Sequence, residues 1–290
     1  MDMIYPWAPG AEKFILPENA GFRFGLNGYK SFQIQMHYDN PVLLSGKVDN
    51  SGLRLHYSTE LREHDAGVMQ IGDPFVNLMS LSPVATGSDG ISQWDFSCPS
   101  SCTEKQFGAQ QSVTVFGEYL HMHKSGIRMI QSHLRDGEVL KDNYVDYFDF
   151  DMAGAYSVVQ DTYEVKAGDS FETSCIYQSQ GEEVNFGLGS DEEMCITFLM
   201  YYPFSRSMFC GVEMPPSLNH CVVDYKSKKL EEEEIGRVFG TPCETNAMKP
   251  QESDESSPDV TESPEQSSTS NKRTILRLLF TITTLLSICF

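Results

Sequence analysis

The chain is poor in positive charge, in sequence-local metal motifs and in long apolar runs. It carries 21 lysines and arginines against 41 acids, for a formal net charge of −20. That balance argues against a nucleic-acid partner, because phosphates require basic surfaces. Much of the acid is local: residues 231–234 are four consecutive glutamates, and residues 251–265 hold six more acids. Such runs behave as solvated tails. The eight cysteines (98, 102, 175, 195, 210, 221, 243 and 289) include no C-x-x-C pair. The spacing excludes a zinc-knuckle arrangement and fits disulfides formed in an oxidising compartment. No N-x-S/T glycosylation acceptor occurs, and Met1-Asp2-Met3-Ile4-Tyr5-Pro6 has neither the basic nor the apolar part of a secretory signal. The cysteines therefore call for the secretory pathway while the start of the chain does not supply the signal. The expectation is that the natural N-terminus lies upstream.

No long segment before residue 225 has a helical period. What is there instead is alternation. Phe32, Ile34, Met36 and Tyr38 share one face of a strand-like run, with Gln33, Gln35 and His37 on the other. Leu53, Leu55 and Tyr57 alternate in the next run. Further strand-like runs cover about 112–123, 127–134, 138–145, 156–165, 170–178 and 194–202. Asp136-Gly137 between apolar residues is a type I′ hairpin signal, and Ala167-Gly168-Asp169 is a second turn. Many short strands divided by turn residues predict an all-β, antiparallel sandwich. A short charged helix is expected over 226–239. Residues 250–273, rich in Ser, Pro, Glu and Thr, read as a disordered stalk. The tail 274–290 ends in an apolar stretch short of the ~20 residues that span a bilayer. With Ser267-Ser268-Thr269-Ser270 and a polar spacer ahead of it, it reads as a GPI signal or a membrane anchor.

The chemistry is concentrated in His121-Met122-His123 and in Glu192-Glu193-Met194-Cys195. On a strand, H-x-H sets two imidazoles on one face. Imidazole accepts either copper oxidation state and a thioether favours Cu(I), so two histidines and a methionine suit a redox copper. Alone, H-x-H is usually a pair of polar surface residues, and Met194 one core methionine among thirteen. His56, His64, His133 and His220 are read as structural or exposed.

Gln35-Met36-His37-Tyr38-Asp39-Asn40-Pro41, Asp49-Asn50-Ser51-Gly52-Leu53-Arg54-Leu55, His121-Met122-His123, Glu192-Glu193-Met194-Cys195 and Tyr201-Tyr202-Pro203 occur in one order and spacing. Together they resemble the copper type II, ascorbate-dependent monooxygenases, the family of dopamine β-hydroxylase, its DBH-like relatives and the peptidylglycine amidating enzyme. The resemblance runs from about Tyr5 to about Cys210, with the DBH-like members as the best match. It implies two sandwich domains with one copper each, and hydroxylation of a substrate C–H bond with O2 and ascorbate. It places His121, His123 and Met194 on the catalytic copper and His37 on the electron-transfer copper. The family's other two electron-transfer ligands are an adjacent His-His pair upstream. No adjacent pair exists here and no histidine precedes His37, so the second site is expected to be incomplete and turnover impaired.

Other expectations follow from the same resemblance. Residues 1–42 would be the end of the first copper domain, 43–212 the catalytic sandwich and 213–249 an extension. Disulfides Cys98–Cys210 and Cys175–Cys195 are implied, with Cys102 paired to Cys221 or Cys243. The amidating enzyme holds a peptide carboxylate with an Arg and a Tyr at positions occupied here by Tyr119 and Phe198. That neutral pair lacks the charge for a carboxylate, so a small, apolar or aromatic substrate is expected. The rival is a non-catalytic surface module of the same fold.

Overall fold

Runs in which alternate side chains are apolar pair into two facing sheets. The structure, a computed structural model, describes residues 2–38, 40, 42–74, 84, 90–156, 161–179, 181–205, 208–211, 221–222, 224–239 and 283–288. Its strands are β1 (Asp2–Trp7), β2 (Ala20–Gly21), β3 (Gln33–His37), β4 (His64–Asp65), β5 (Gly67–Gly72), β6 (Ile91–Cys98), β7 (Ser112–His121), β8 (Gly126–Arg135), β9 (Glu138–Val145), β10 (Tyr163–Lys166), β11 (Ser170–Gln178), β12 (Ile196–Tyr202), β13 (Met208–Gly211), β14 (Cys221–Val222), β15 (Asp224–Lys229) and β16 (Thr283–Ile288). Two short helices, α1 (Ser100–Phe107) and α2 (Glu232–Phe239), and a 3-10 helix over Phe150–Tyr156 complete the described elements.

The two large sheets have the orders β10-β7-β12-β5-β13-β14 and β15-β6-β11-β8-β9, and β1-β16-β3 and β2-β4 form two smaller ones. Most neighbours are antiparallel, whereas β13 runs parallel to both β5 and β14. In β6 the residues Trp94, Phe96 and Cys98 point into the core, and β11 contributes Phe171, Thr173 and Cys175 in the same alternation. β5 and β12 are buried almost without interruption. Their continuous apolar character reflects burial on both faces. The N-terminal segment supplies part of the cover: Met3, Tyr5, Phe14, Leu16 and Phe22 pack on the core. Tyr5 stacks on Phe14 at 4.9 Å, and Phe14 faces Phe116 at 6.5 Å.

The turn at 136–137 has φ of 54° at Asp136 and 83° at Gly137, the double positive φ of a type I′ hairpin. It joins β8 to β9, with Arg135 opposite Glu138. Gly72 is required for close approach. A Cβ there would meet the Cys195 carbonyl oxygen at 2.2 Å, and φ is 113°.

Three expectations are corrected. Residues 53–57 form no strand: the run finds no neighbouring strand, and Leu55 and Tyr57 are 51% and 91% exposed. Of the run at 156–165, residues 157–160 lie outside the described residues, Tyr156 ends the 3-10 helix that follows Asp149, whose carboxylate accepts the Asp151 N–H, and the strand begins at Tyr163. The helix expected over 226–239 begins only at Glu232. Residues 224–229 instead pair with β6, with Tyr225 stacked on Trp94 at 6.1 Å. Lysines on an exposed edge strand give the same polar pattern as a solvated helix.

Disulfides join Cys98 to Cys210, Cys102 to Cys221 and Cys175 to Cys195. Cys243, Cys289, the stalk 250–273 and most of the tail lie outside the described residues. Within the tail, Thr283–Ile288 runs as a strand between β1 and β3. Among the described residues no helix is long and apolar enough to cross a membrane.

Candidate copper site

β7 and β12 are paired antiparallel, and the last register pair is His121 with Ile196. His123 and Met194 both lie just beyond that final rung, one on each strand's extension. The fold thus brings His121, His123 and Met194 to one end of the six-stranded sheet. All three are buried, at 3%, 3% and 6% exposure. The two imidazole rings are 5.1 Å apart and nearly perpendicular, at 82°.

Each ring is oriented by a neighbour. His123 Nδ1 is 3.0 Å from the Glu192 carbonyl oxygen, which accepts a hydrogen bond from Nδ1–H and leaves the Nε2 lone pair for a metal. His121 Nδ1 is 3.5 Å from the Tyr119 hydroxyl, a long contact. Phe150 stands edge-on to His123 at 5.7 Å. Met194 is fixed through its backbone. Its carbonyl accepts the Tyr177 hydroxyl at 2.8 Å, and the next residue is tied into β11 by Cys175–Cys195.

The electrostatics favour the neutral, ligating form of both rings. Burial holds His121 well below the usual histidine range, with repulsion from His123 and His37 adding to it. Burial likewise pushes His123 down to about 4, against the pull of the Glu192 and Gly189 carbonyls. A protonated imidazole cannot bind a metal, so protons compete weakly here. Two neutral imidazoles beside a thioether-bearing residue are a donor set that fits copper.

His37, at the end of β3, is partly buried, and burial lowers its pKa. It lies within electrostatic reach of His121 and His123. Among the described residues, though, three His, Cys, Asp or Glu ligand atoms all within 4.8 Å of one another occur only at Cys98, Cys102 and Cys210. Those sulfurs are already in disulfides. His37 is therefore near the pair without sharing one tight cluster with it. Tyr119 and Phe198 are opposite each other in the β7–β12 register and stack at 5.7 Å, and Phe198 is 6.3 Å from His121. They form an aromatic wall beside the imidazoles.

The family comparison decides among the chemistries that such a donor set permits. Residues 64–222 match the copper type II ascorbate-dependent monooxygenase C-terminal domain, and residues 1–45 match the N-terminal domain. The chain belongs to the copper type II ascorbate-dependent monooxygenases. Among curated relatives of this monooxygenase family, dopamine beta-hydroxylase of Canis lupus familiaris is 32% identical over 223 residues, covering 72% of this chain and 33% of that protein. Human dopamine beta-hydroxylase is 32% identical over 215 residues, 70% of the chain and 33% of the relative. DBH-like monooxygenase protein 1 of Gallus gallus is 34% identical over 208 residues, 69% of the chain and 33% of the relative. The chain spans about one third of the length of these monooxygenases.

Two features escaped the sequence reading. His133, read as structural or exposed, is structural, and its partners were not foreseen: it is buried with Nε2 2.7 Å from Asp169 Oδ2, and Arg135 grips the same carboxylate at 2.7 and 2.8 Å. Glu193 was read only as part of a motif. It is fully buried, and burial pushes its carboxyl up to about 8 against backbone N–H donors. The signal available was an acid set directly against the apolar run Met194–Met200.

Proposed function

We propose that this chain is the catalytic part of a copper- and ascorbate-dependent monooxygenase that hydroxylates a C–H bond of a small substrate with O2. His121, His123 and Met194 would hold the copper. The observation that carries the reading is the pair of buried imidazoles, 5.1 Å apart and with His123 Nδ1 engaged, at the strand end where Met194 is also anchored. Copper bound there supplies a one-electron couple between ascorbate and dioxygen. The protein contributes neutral donors, keeps protons off them and excludes bulk water by burial. Tyr119 and Phe198 offer an apolar aromatic surface, and burial holds the Tyr119 hydroxyl neutral. This wall suits an uncharged or aromatic portion of the substrate, such as the ring of a phenethylamine, and does not suit a peptide carboxylate.

Residues 1–42 are read as the end of the electron-transfer domain, with His37 as one of its copper ligands. One imidazole alone holds copper poorly, so the 290 residues by themselves are expected to bind one copper and turn over slowly. The three disulfides fit the secretory pathway, and membrane association through the tail is part of the same reading. A second reading is a copper-binding surface module without turnover. Ascorbate-dependent oxygen consumption with a panel of phenethylamines separates the two. Consumption that depends on both substrate and His121 supports the oxygenase, and its absence alongside normal copper binding supports the module.

A further inference from the structure

We infer that Glu193 is the positioning residue of the copper site: its carboxylate clamps the turn after His123 to the segment that carries Met194, and so sets the spacing of the donors. The inference rests on the reading that His121, His123 and Met194 hold copper, and deepens it.

The β7–β12 ladder fixes His121, whose partner is Ile196. It does not reach His123 or Met194, which lie past the last rung. At that point the carboxylate takes over the ladder's role. Glu193 Oε2 accepts the His123 backbone N–H at 2.8 Å and the Met194 N–H at 3.3 Å. Oε1 accepts the Ser125 N–H at 2.5 Å. Gly126 N–H closes the same turn onto the His123 carbonyl at 3.2 Å. One fully buried side chain therefore joins residues 123–126 to residues 193–194, about seventy positions apart in sequence.

Only a carboxylate of this length fits the arrangement. Its two oxygens reach backbone N–H groups of both segments at once. Glutamine would set an NH2 against one of those N–H groups and leave a buried donor unsatisfied. Aspartate keeps the acceptors but shortens the reach by one methylene. In either variant the His123 turn and the Met194 segment lose their common anchor. Tyr177 and the Cys175–Cys195 disulfide continue to hold the Met194 side, so the fold itself should survive.

The test uses the full chain with Glu193→Gln and Glu193→Asp. Cu(I) affinity is read by competition with a chromogenic chelator, and the copper–thioether distance by X-ray absorption. Outer-shell partners of metal ligands typically contribute 10–100-fold in affinity. Both variants are expected to lose roughly that factor and to show a weakened or lengthened sulfur shell, with an unfolding midpoint close to that of the unsubstituted chain. Affinity and sulfur shell unchanged in a folded variant would overturn the inference. Amide hydrogen exchange of the unsubstituted, metal-free chain provides a readout that needs no variant to fold. Protection of the His123, Ser125 and Met194 amides comparable to that of β7 is expected, and fast exchange there overturns the clamp. If the unsubstituted chain takes up no Cu(I) while those amides are protected, the copper reading fails instead, and with it any role for Glu193 in spacing donors.

Discussion

Two regions of this molecule carry histidines that the sequence marks as copper ligands, and they are built differently. The end of the sandwich holds His121 on the last rung of β7 and His123 just past it, where Glu193 accepts its backbone N–H, beside a core that includes Met194 and Cys195. The strand that carries His37 is exposed along most of its length. Ile34, Phe32 and Tyr38 stand 38%, 45% and 53% open. The contrast shows what a donor set requires. A histidine becomes a strong ligand when packing fixes its ring and burial keeps it neutral. His121 and His123 have both, and His37 has a partial share of burial alone.

Removing a covalent tie should strain this comparison most. Cys98 and Cys210 are separated by 112 positions, and closing a loop of that length stabilises by about 4–5 kcal/mol in the chain-entropy picture. Replacing both with alanine should lower stability by roughly that amount in chemical denaturation. A loss below about 1 kcal/mol would mean that the sandwich does not depend on the tie.

Acidification comes next. The two imidazoles have depressed pKa values in the folded chain, so the unfolded state takes up their protons first, and stability falls as pH drops below about 6.5. Glu193 works in the other direction. Its raised pKa means the folded state holds the extra proton between 4.5 and about 8, and stability from this group is lost as pH rises through that window. Two imidazoles outweigh one carboxyl, so metal-free protein is expected to lose stability as pH falls from 6.5 to 4.5. Urea midpoints across that range check it, and a flat profile would contradict the burial argument.

The far end of the sandwich offers a control. Asp169→Asn removes the charge gripped by Arg135 and His133. Because Arg135 is about a third exposed, the expected loss is about 2–3 kcal/mol, below the range for fully buried pairs. Copper affinity should not change, since none of these groups touches the donors. The smallest effect belongs to the exposed segment. Leu55→Ser should alter stability by less than about 0.5 kcal/mol, and a larger loss would show that residues 53–57 pack against something.

What the sequence made legible follows the same division. The hairpin at Asp136-Gly137, β7, β8, β9 and β11 were visible because alternation and turn chemistry act locally. The Leu53–Tyr57 run was misread because alternation promises a strand only when a neighbour is present to pair with it. β15 was misread as helix because an edge strand bearing Lys226, Lys228 and Lys229 and a solvated helix carry the same side chains. At the site, the H-x-H spacing and the Glu-Met-Cys motif were plain. The carboxylate bridge from Glu193 to residues 123–126 was not, because it depends on two strand ends meeting that lie far apart in sequence. The His133–Asp169–Arg135 cluster was hidden for the same reason.

The central claim is that the sandwich end alone, through His121, His123 and Met194, holds copper. Copper per folded chain, measured after ascorbate reduction and removal of loose metal, tests it directly on the unsubstituted protein, His121→Ala and His37→Ala. The account predicts about one copper in the first, close to none in the second and about one in the third. Two coppers in the unsubstituted chain, or one that survives His121→Ala and is lost with His37→Ala, would contradict it.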